Sequence, residues 1–226
     1  MIWFTRIPAP ANLIGYIIGM ETASLWLITN PEELMKGAKT IARSIQGLAK
    51  AVSEAASGGE ILANYISTRD AADIHGVELH TKYYYPLERK MLEGFPKGTR
   101  ILSHICSREP LLIGKLRWYP PDKYAVIQWN VSEPGKVNSL EWAKKTFGEY
   151  ITLSAGFVTD TEGVLSTGTP EQVFDYTKYV LKTGAPGGRF ILGHGCHVPS
   201  TCREENIRAV WKAIEKYGSY PPKAED

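Results

Sequence analysis

Short apolar runs alternate along the chain with longer stretches of helical period, and this alternation is the first structural signal in the sequence. Met1 to Arg6 reads as a short buried strand, and a Pro8/Pro10 turn leads into an apolar helix beginning near Asn12. Asn30-Pro31-Glu32-Glu33 sets a cap, a first-turn proline and an N3 glutamate in order. The helix it opens carries Leu34, Ala38, Ile41, Ile45 and Leu48 on one face and ends at Gly58-Gly59. Ile61 to Ile66 is a strand, and a helix follows from about Val77 to Leu92, stopped by Gly94 and Pro96. Further strands are expected at Arg100 to His104, Tyr124 to Trp129, Tyr150 to Ser154 and Arg189 to Leu192. Ser139 to Phe147 is compatible with a helix, and Thr169-Pro170-Glu171-Gln172 repeats the capping-box pattern for one running to about Lys182. The last helix has Ile207, Val210, Trp211 and Ile214 at i, i+3, i+4 and i+7, the stripe of a helix lying on a sheet.

About six β-then-α units without an internal linker or repeat predict a single α/β domain with a parallel sheet covered by helices. A closed eight-stranded barrel takes about 250 residues, so 226 residues and six units correspond either to an N-terminally incomplete barrel or to an open sheet. In both, chemistry belongs where strands end and βα loops begin.

Composition narrows the function more than the fold. The net charge of +2 is the difference between 26 basic and 24 acidic residues spread along the chain, so no nucleic-acid footprint is expected. Three cysteines, an odd number, without a persuasive signal peptide point to a reducing, cytoplasmic setting in which thiols are available to metals. The apolar stretch from Ala11 to Ile28 has nearly a membrane-spanning length, but Gly15, Gly19 and Glu21 interrupt it, and no membrane association is expected.

His104 and Cys106 fall where a strand gives way to a loop, and in extended chain residues i and i+2 face the same side. An imidazole and a thiolate so placed suit one zinc ion, although an isolated His-x-Cys also describes a buried cysteine beside a hydrogen-bonded histidine. Gly193-His194-Gly195-Cys196-His197-Val198-Pro199 follows another strand, with glycines that let the backbone turn sharply. Cys196 is the natural third ligand, and two thiolates with one neutral imidazole leave a fourth tetrahedral position open, as in catalytic zinc sites. His194 is a candidate catalytic residue, either contacting a substrate anion or orienting a ligand. Asn64 and Asn130 are candidate substrate donors, though asparagine at a strand end also serves turns. Cys202 reads as a small semi-buried residue near the start of the last helix. Trp118, Trp129 and Tyr83-Tyr84-Tyr85 read as packing residues, and Arg108 and Arg117 as solvated.

The stretch from Gly187 through Cys196 to Glu205-Asn206-Ile207-Arg208-Ala209 resembles the closing strand and helix of the uroporphyrinogen decarboxylase superfamily. Pro10 with the helix Leu13 to Gly19, the Tyr85-Pro86 pair and Ser166 to Glu171 extend the likeness over nearly the whole chain. The resemblance implies a TIM-type (β/α)8 barrel of which the chain covers roughly the last six units, about the C-terminal three-quarters, with the first strands missing. Within that superfamily, His104, Cys106 and Cys196 are similar to the zinc motif of cobamide-dependent methyltransferases such as the methylcobamide:coenzyme M enzymes. That branch implies one zinc ion, a methylated corrinoid supplied by a partner protein, and a small thiol acceptor. Ser107, where those enzymes usually have glycine, and Cys202-Arg203, in place of Thr-Pro, depart from the pattern. Two alternatives follow. One is a metal-free decarboxylase-like enzyme acting on a tetrapyrrole, with which His194 is compatible. The other is a non-catalytic barrel subunit whose exposed edges a second chain or oligomer partner covers.

Overall fold

The computed structural model describes residues 5–55, 64–68, 75–97, 99, 101–105, 124–132, 134–137, 139–159 and 161–219. The chain divides into two compact units, residues 1–125 and 126–226.

In the first unit β1 (Thr5–Pro8), β2 (Asn64–Thr68) and β3 (Ile101–Ile105) form parallel neighbours, with Thr5 level with Asn64, Asn64 with Ile101 and Ser67 with His104. Ile101, Ser103, His104 and Ile105 are all buried, the near-continuous burial expected of a parallel strand covered on both faces. Helices α1 (Pro10–Ile18), α2 (Met20–Thr29) and α3 (Pro31–Ala55) follow β1, and α4 (Val77–Glu93) follows β2.

The apolar stretch from Ala11 to Ile28 folds as two helices that break at Gly19, one of the residues expected to interrupt it. Gly19 takes φ of +88°, a conformation favoured by glycine, and the axes of α1 and α2 differ by 109° there. Among the described residues no single helix is long and apolar enough to cross a membrane. The bend lets Ala11, Ile14, Ala23 and Leu27 meet Leu34, Met35, Ala38 and Tyr84 in one core.

The buried face of α3 is rotated from the expected one. Leu34, Ala38 and Ile45 are inside as expected, but Met35, Ala42 and Ala49 complete the face, while Ile41 packs at its edge and Leu48 is 47% exposed. Small residues permit close approach to α4, where the Gln46 side-chain amide donates to the Met91 carbonyl at 2.9 Å. Each large apolar side chain buried here contributes about 1.5–3 kcal/mol.

Polar groups enter this core at specific points. The Ser24 hydroxyl donates to the Met20 carbonyl at 2.7 Å, so its oxygen accepts from His75 Nδ1, 2.8 Å away. The His75 ring stacks on Tyr84 at 6.0 Å between centroids. Burial lowers the proton affinity of His75 below that of an ordinary imidazole. Burial, then the nearby Glu88 carboxylate, pushes the Tyr84 phenol up to about 12.

The second unit contains β4 (Tyr124–Trp129), whose first two residues precede the boundary, with β5 (Thr152–Phe157) and β6 (Phe190–His194), again parallel. Both later strands extend past their expected ends, β5 to Phe157 and β6 to His194. The helices are α5 (Leu140–Phe147), α6 (Val164–Thr167), α7 (Pro170–Gly184) and α8 (Glu204–Tyr217). Ser139 caps α5, accepting from the Trp142 amide at 3.3 Å. The expected capping box opens α7: the Gln172 amide donates to Thr169 Oγ1 at 3.2 Å and the Thr169 amide donates to Gln172 Oε1 at 2.8 Å.

The stripe expected on α8 is also shifted. Asn206, Ala209 and Ala213 are its buried residues, and Trp211 is 62% exposed. Asn206 decides the rotation, because its buried amide donates to the carbonyls of Leu165 at 2.8 Å and Gly168 at 3.0 Å. Those bonds satisfy the Leu165 carbonyl of α6 and, just past α6, the Gly168 carbonyl, which also accepts from the Arg203 guanidinium at 2.6 Å. Ala209 thereby joins Phe157, Leu165 and Val173 in the core of this unit.

Two outcomes follow. Thr169→Ala should cost about 1 kcal/mol, read as a lower urea midpoint, while Thr169→Ser should retain most of the stability. The neutral His75 contributes stability in full above the ordinary imidazole value, because the unfolded chain then has no proton to gain. That contribution is lost as pH falls through the imidazole range toward the lowered folded value. Between pH 7.5 and 5.5, His75→Gln should therefore lose less melting temperature than the wild type, and equal losses would exclude this assignment.

Candidate functional site

The turn after β6 is built by its neighbours. β5 lies between β4 and β6, pairing Gln128 with Ser154 on one side and Phe157 with His194 on the other. Beyond His194 the Gly195 amide donates to the Phe157 carbonyl at 2.8 Å, so the loop folds over the end of β5. β4 reaches it from the other side: the Gln128 amide donates to the His194 carbonyl at 2.7 Å.

Asn130, directly after β4, lies against Gly195. A Cβ on Gly195 would come 1.8 Å from Asn130 Oδ1 and 2.8 Å from its Cα, so only glycine fits there without displacement of the backbone. Asn130 Oδ1 also accepts from the amide and the hydroxyl of Thr159, each at 3.4 Å.

Within this loop His194 Nδ1 meets the carbonyl oxygen of Cys196. A carbonyl only accepts, so Nδ1 carries the proton and the neutral ring has its lone pair on Nε2. Cys196 is half-buried, and its Sγ lies 3.5 Å from Nδ1 of the exposed His197. Cys202 stands apart, half-buried against the Phe157 cluster and two residues before α8. Burial raises its thiol pKa against the opposing pull of Arg203.

In the first unit His104 occupies the penultimate position of β3 and is 2% exposed, beside the buried Ser103. Asn64, expected at the exit of a strand, instead opens β2, level with Ile101 at the start of β3 and three residues before Ser67, the partner of His104, so it lies at the end of the strands away from the βα loops. Cys106, like Arg108, Arg117 and Trp118, lies outside the described residues. Trp129, Tyr84 and Tyr85 are fully buried, as their reading as packing residues expects.

Among the described residues no three His, Cys, Asp or Glu side chains converge as a metal cluster. The chemistry of the donor set nevertheless suits zinc. His104 is the penultimate residue of β3 and Cys196 lies two residues past β6, and one imidazole with the thiols of Cys106 and Cys196 is a zinc-type donor set.

Sequence reasoning placed His194, Cys196 and Asn130 correctly at the strand exits but missed Gln128, Thr159 and His197. Gln128 reads as an ordinary strand residue, and its role exists only because the loop after β6 returns to it. His197 sat inside the quoted motif, and its adjacency to Cys196 was the available signal.

Parallel strands joined by helical crossovers are the framework of a (β/α)-barrel type of protein. The family model described as uroporphyrinogen decarboxylase (URO-D) matches residues 4–217, and the chain belongs to that family. A solved structure, "methyltransferase from Methanosarcina mazei", is similar with a TM-score of 0.72 at 15% sequence identity. The likeness covers 96% of this chain and 59% of that one, so the chain spans less than two thirds of its length. No curated protein sequence matches the chain.

Gly195→Ala should destabilise the second unit by about 1–3 kcal/mol, the usual cost of overpacking, measured by denaturant unfolding. Adding Asn130→Ala should restore only part of this, because the contact with the Asn130 Cα remains.

Proposed function

We propose that the chain carries the catalytic region of a zinc-dependent methyltransferase that moves a methyl group from a methylated corrinoid protein to a small thiol such as coenzyme M. The donor set carries this reading: His104, Cys106 and Cys196, one imidazole and two thiols, in a chain of this family. The methyltransferase name of the similar solved structure supports it further.

Zinc, when bound, supplies Lewis acidity that holds an acceptor thiol as a nucleophilic thiolate near neutral pH. His104, Cys106 and Cys196 would hold the ion, two thiolates and one neutral imidazole matching the charge of a dication. Around them the chain's residues position rather than react. His194 Nδ1–H holds the Cys196 carbonyl, Gln128 holds the His194 carbonyl, and Asn130 packs on Gly195. Each restrains the peptide that carries the Cys196 sulfur. Asn130 Oδ1 accepts from Thr159, and its NH₂ group is proposed as a donor to a substrate anion.

The family's name keeps a metal-free decarboxylase as the competing reading, and metal content separates the two. Freshly purified protein should hold one zinc per chain, with Cys106→Ala and Cys196→Ala each losing it. Transfer from methylcobalamin to coenzyme M should fall by more than the roughly 10–100-fold cost of losing an outer-shell partner. Wild-type protein free of zinc, yet active on a carboxylated tetrapyrrole, would replace this reading with the decarboxylase.

A further inference from the structure

We propose that the groove between α3 and α4 is a binding site for an amphipathic anion, an apolar chain ending in a carboxylate. It lies within the first unit and does not depend on the zinc reading.

The two helices border a cavity of about 500 Å³, within the roughly 300–1,000 Å³ of small-molecule sites. Its floor is apolar: Met35, Ala42 and Met91 are buried, and the half-buried Leu87 lines the same space. The gap follows from side-chain size. At one end the Gln46 amide ties the helices together by donating to the Met91 carbonyl at 2.9 Å and the Lys90 carbonyl at 3.4 Å. One turn earlier on the same face, Ala42 presents only a methyl group.

Three cations line this cavity, Lys39 and Arg43 one helical turn apart on α3 and Lys90 on α4. Among the described residues no carboxylate lines it. Other cations on these helices have acidic partners: Lys36 pairs with Glu33, Lys50 with Glu54 and Arg89 with Glu93. Among the described residues Lys39 and Lys90 pair with no carboxylate, and Arg43 donates to the neutral Thr40 hydroxyl at 3.1 Å. Gln46 has spent its NH₂ group on backbone carbonyls, so charge recognition in the groove falls to these three side chains.

An apolar floor beneath positive charge without acidic partners is complementary to a molecule of the opposite pattern. Its chain lies on Met35, Leu87 and Met91, and its head sits among the cations. The planar Arg43 guanidinium suits a carboxylate through two parallel hydrogen bonds, while the lysines add charge and cover the chain with their methylene stems. The volume sets the size of the occupant: it fits a small molecule, whereas a stable protein partner buries about 800 Å² on each side.

Calorimetric titration of the full chain with laurate, below its micelle concentration, tests this. Laurate should bind once per chain and more weakly as salt is added. Dodecanol, which lacks the charge, and acetate, which lacks the chain, should each bind at least about tenfold more weakly. The triple variant Lys39→Gln, Arg43→Gln, Lys90→Gln should lose about tenfold or more, since each exposed ion pair is worth up to about fivefold. Ala42→Met, which fills the floor and keeps the charges, should remove binding, with circular dichroism confirming the fold. If Ala42→Met does not fold, the triple variant, changed only on the exposed rim, decides alone. No laurate binding, equal binding to the wild type and the triple variant, or dodecanol binding as tightly as laurate would each overturn the proposal. A dimer seen by sedimentation that the triple variant disperses, with no laurate binding, would give the groove to a second copy instead.

Discussion

The loop after β6 depends on one constraint: the backbone leaving a buried parallel strand must find new hydrogen-bond partners within a few residues. The Phe157 carbonyl on β5 and the Gln128 side chain on β4 supply them, one to the Gly195 amide and the other from beyond β5 to the His194 carbonyl. That pair of bonds fixes where the chain can turn, and the turn in its turn fixes Cys196. A side chain at position 195 would occupy the space of Asn130, so the absence of one there is part of the same arrangement.

The first unit solves a different problem, that of burying polar groups within a helical layer. Ser24 passes its hydrogen to the Met20 carbonyl and so presents an acceptor to His75, which orients the imidazole against Tyr84 while burial lowers its proton affinity. The layer exists because Gly19 turns α1 away from α2; a continuous apolar helix could not have folded Ala23 and Leu27 back toward α3. Both units thus use glycine at the point where direction changes, and both hold polar groups by committed hydrogen bonds.

Membership of the uroporphyrinogen decarboxylase family follows from a match over most of the chain, while the cysteines are what draw the proposed chemistry toward thiol and metal. The two statements have different physical bases. The first concerns a framework that supports several chemistries, and the second concerns particular sulfur and nitrogen donors.

The strand and helix order was legible from hydrophobic period and capping chemistry, because these act over a few residues. Thr169 with Gln172 and Ser139 before α5 behave as local rules require. Helix rotation was not legible in the same way. Period alone allowed Leu48 and Trp211 to face inward, but close packing through Ala42 and Ala49, and the carbonyls that Asn206 must satisfy, turned both helices. The site divides similarly. His194 and Cys196 were readable as residue types after a strand, since chain direction places strand ends without tertiary information. The bond from Gln128, the fit of Asn130 on Gly195 and the approach of His197 to the Cys196 sulfur required the folded chain, because each depends on where a loop returns in space.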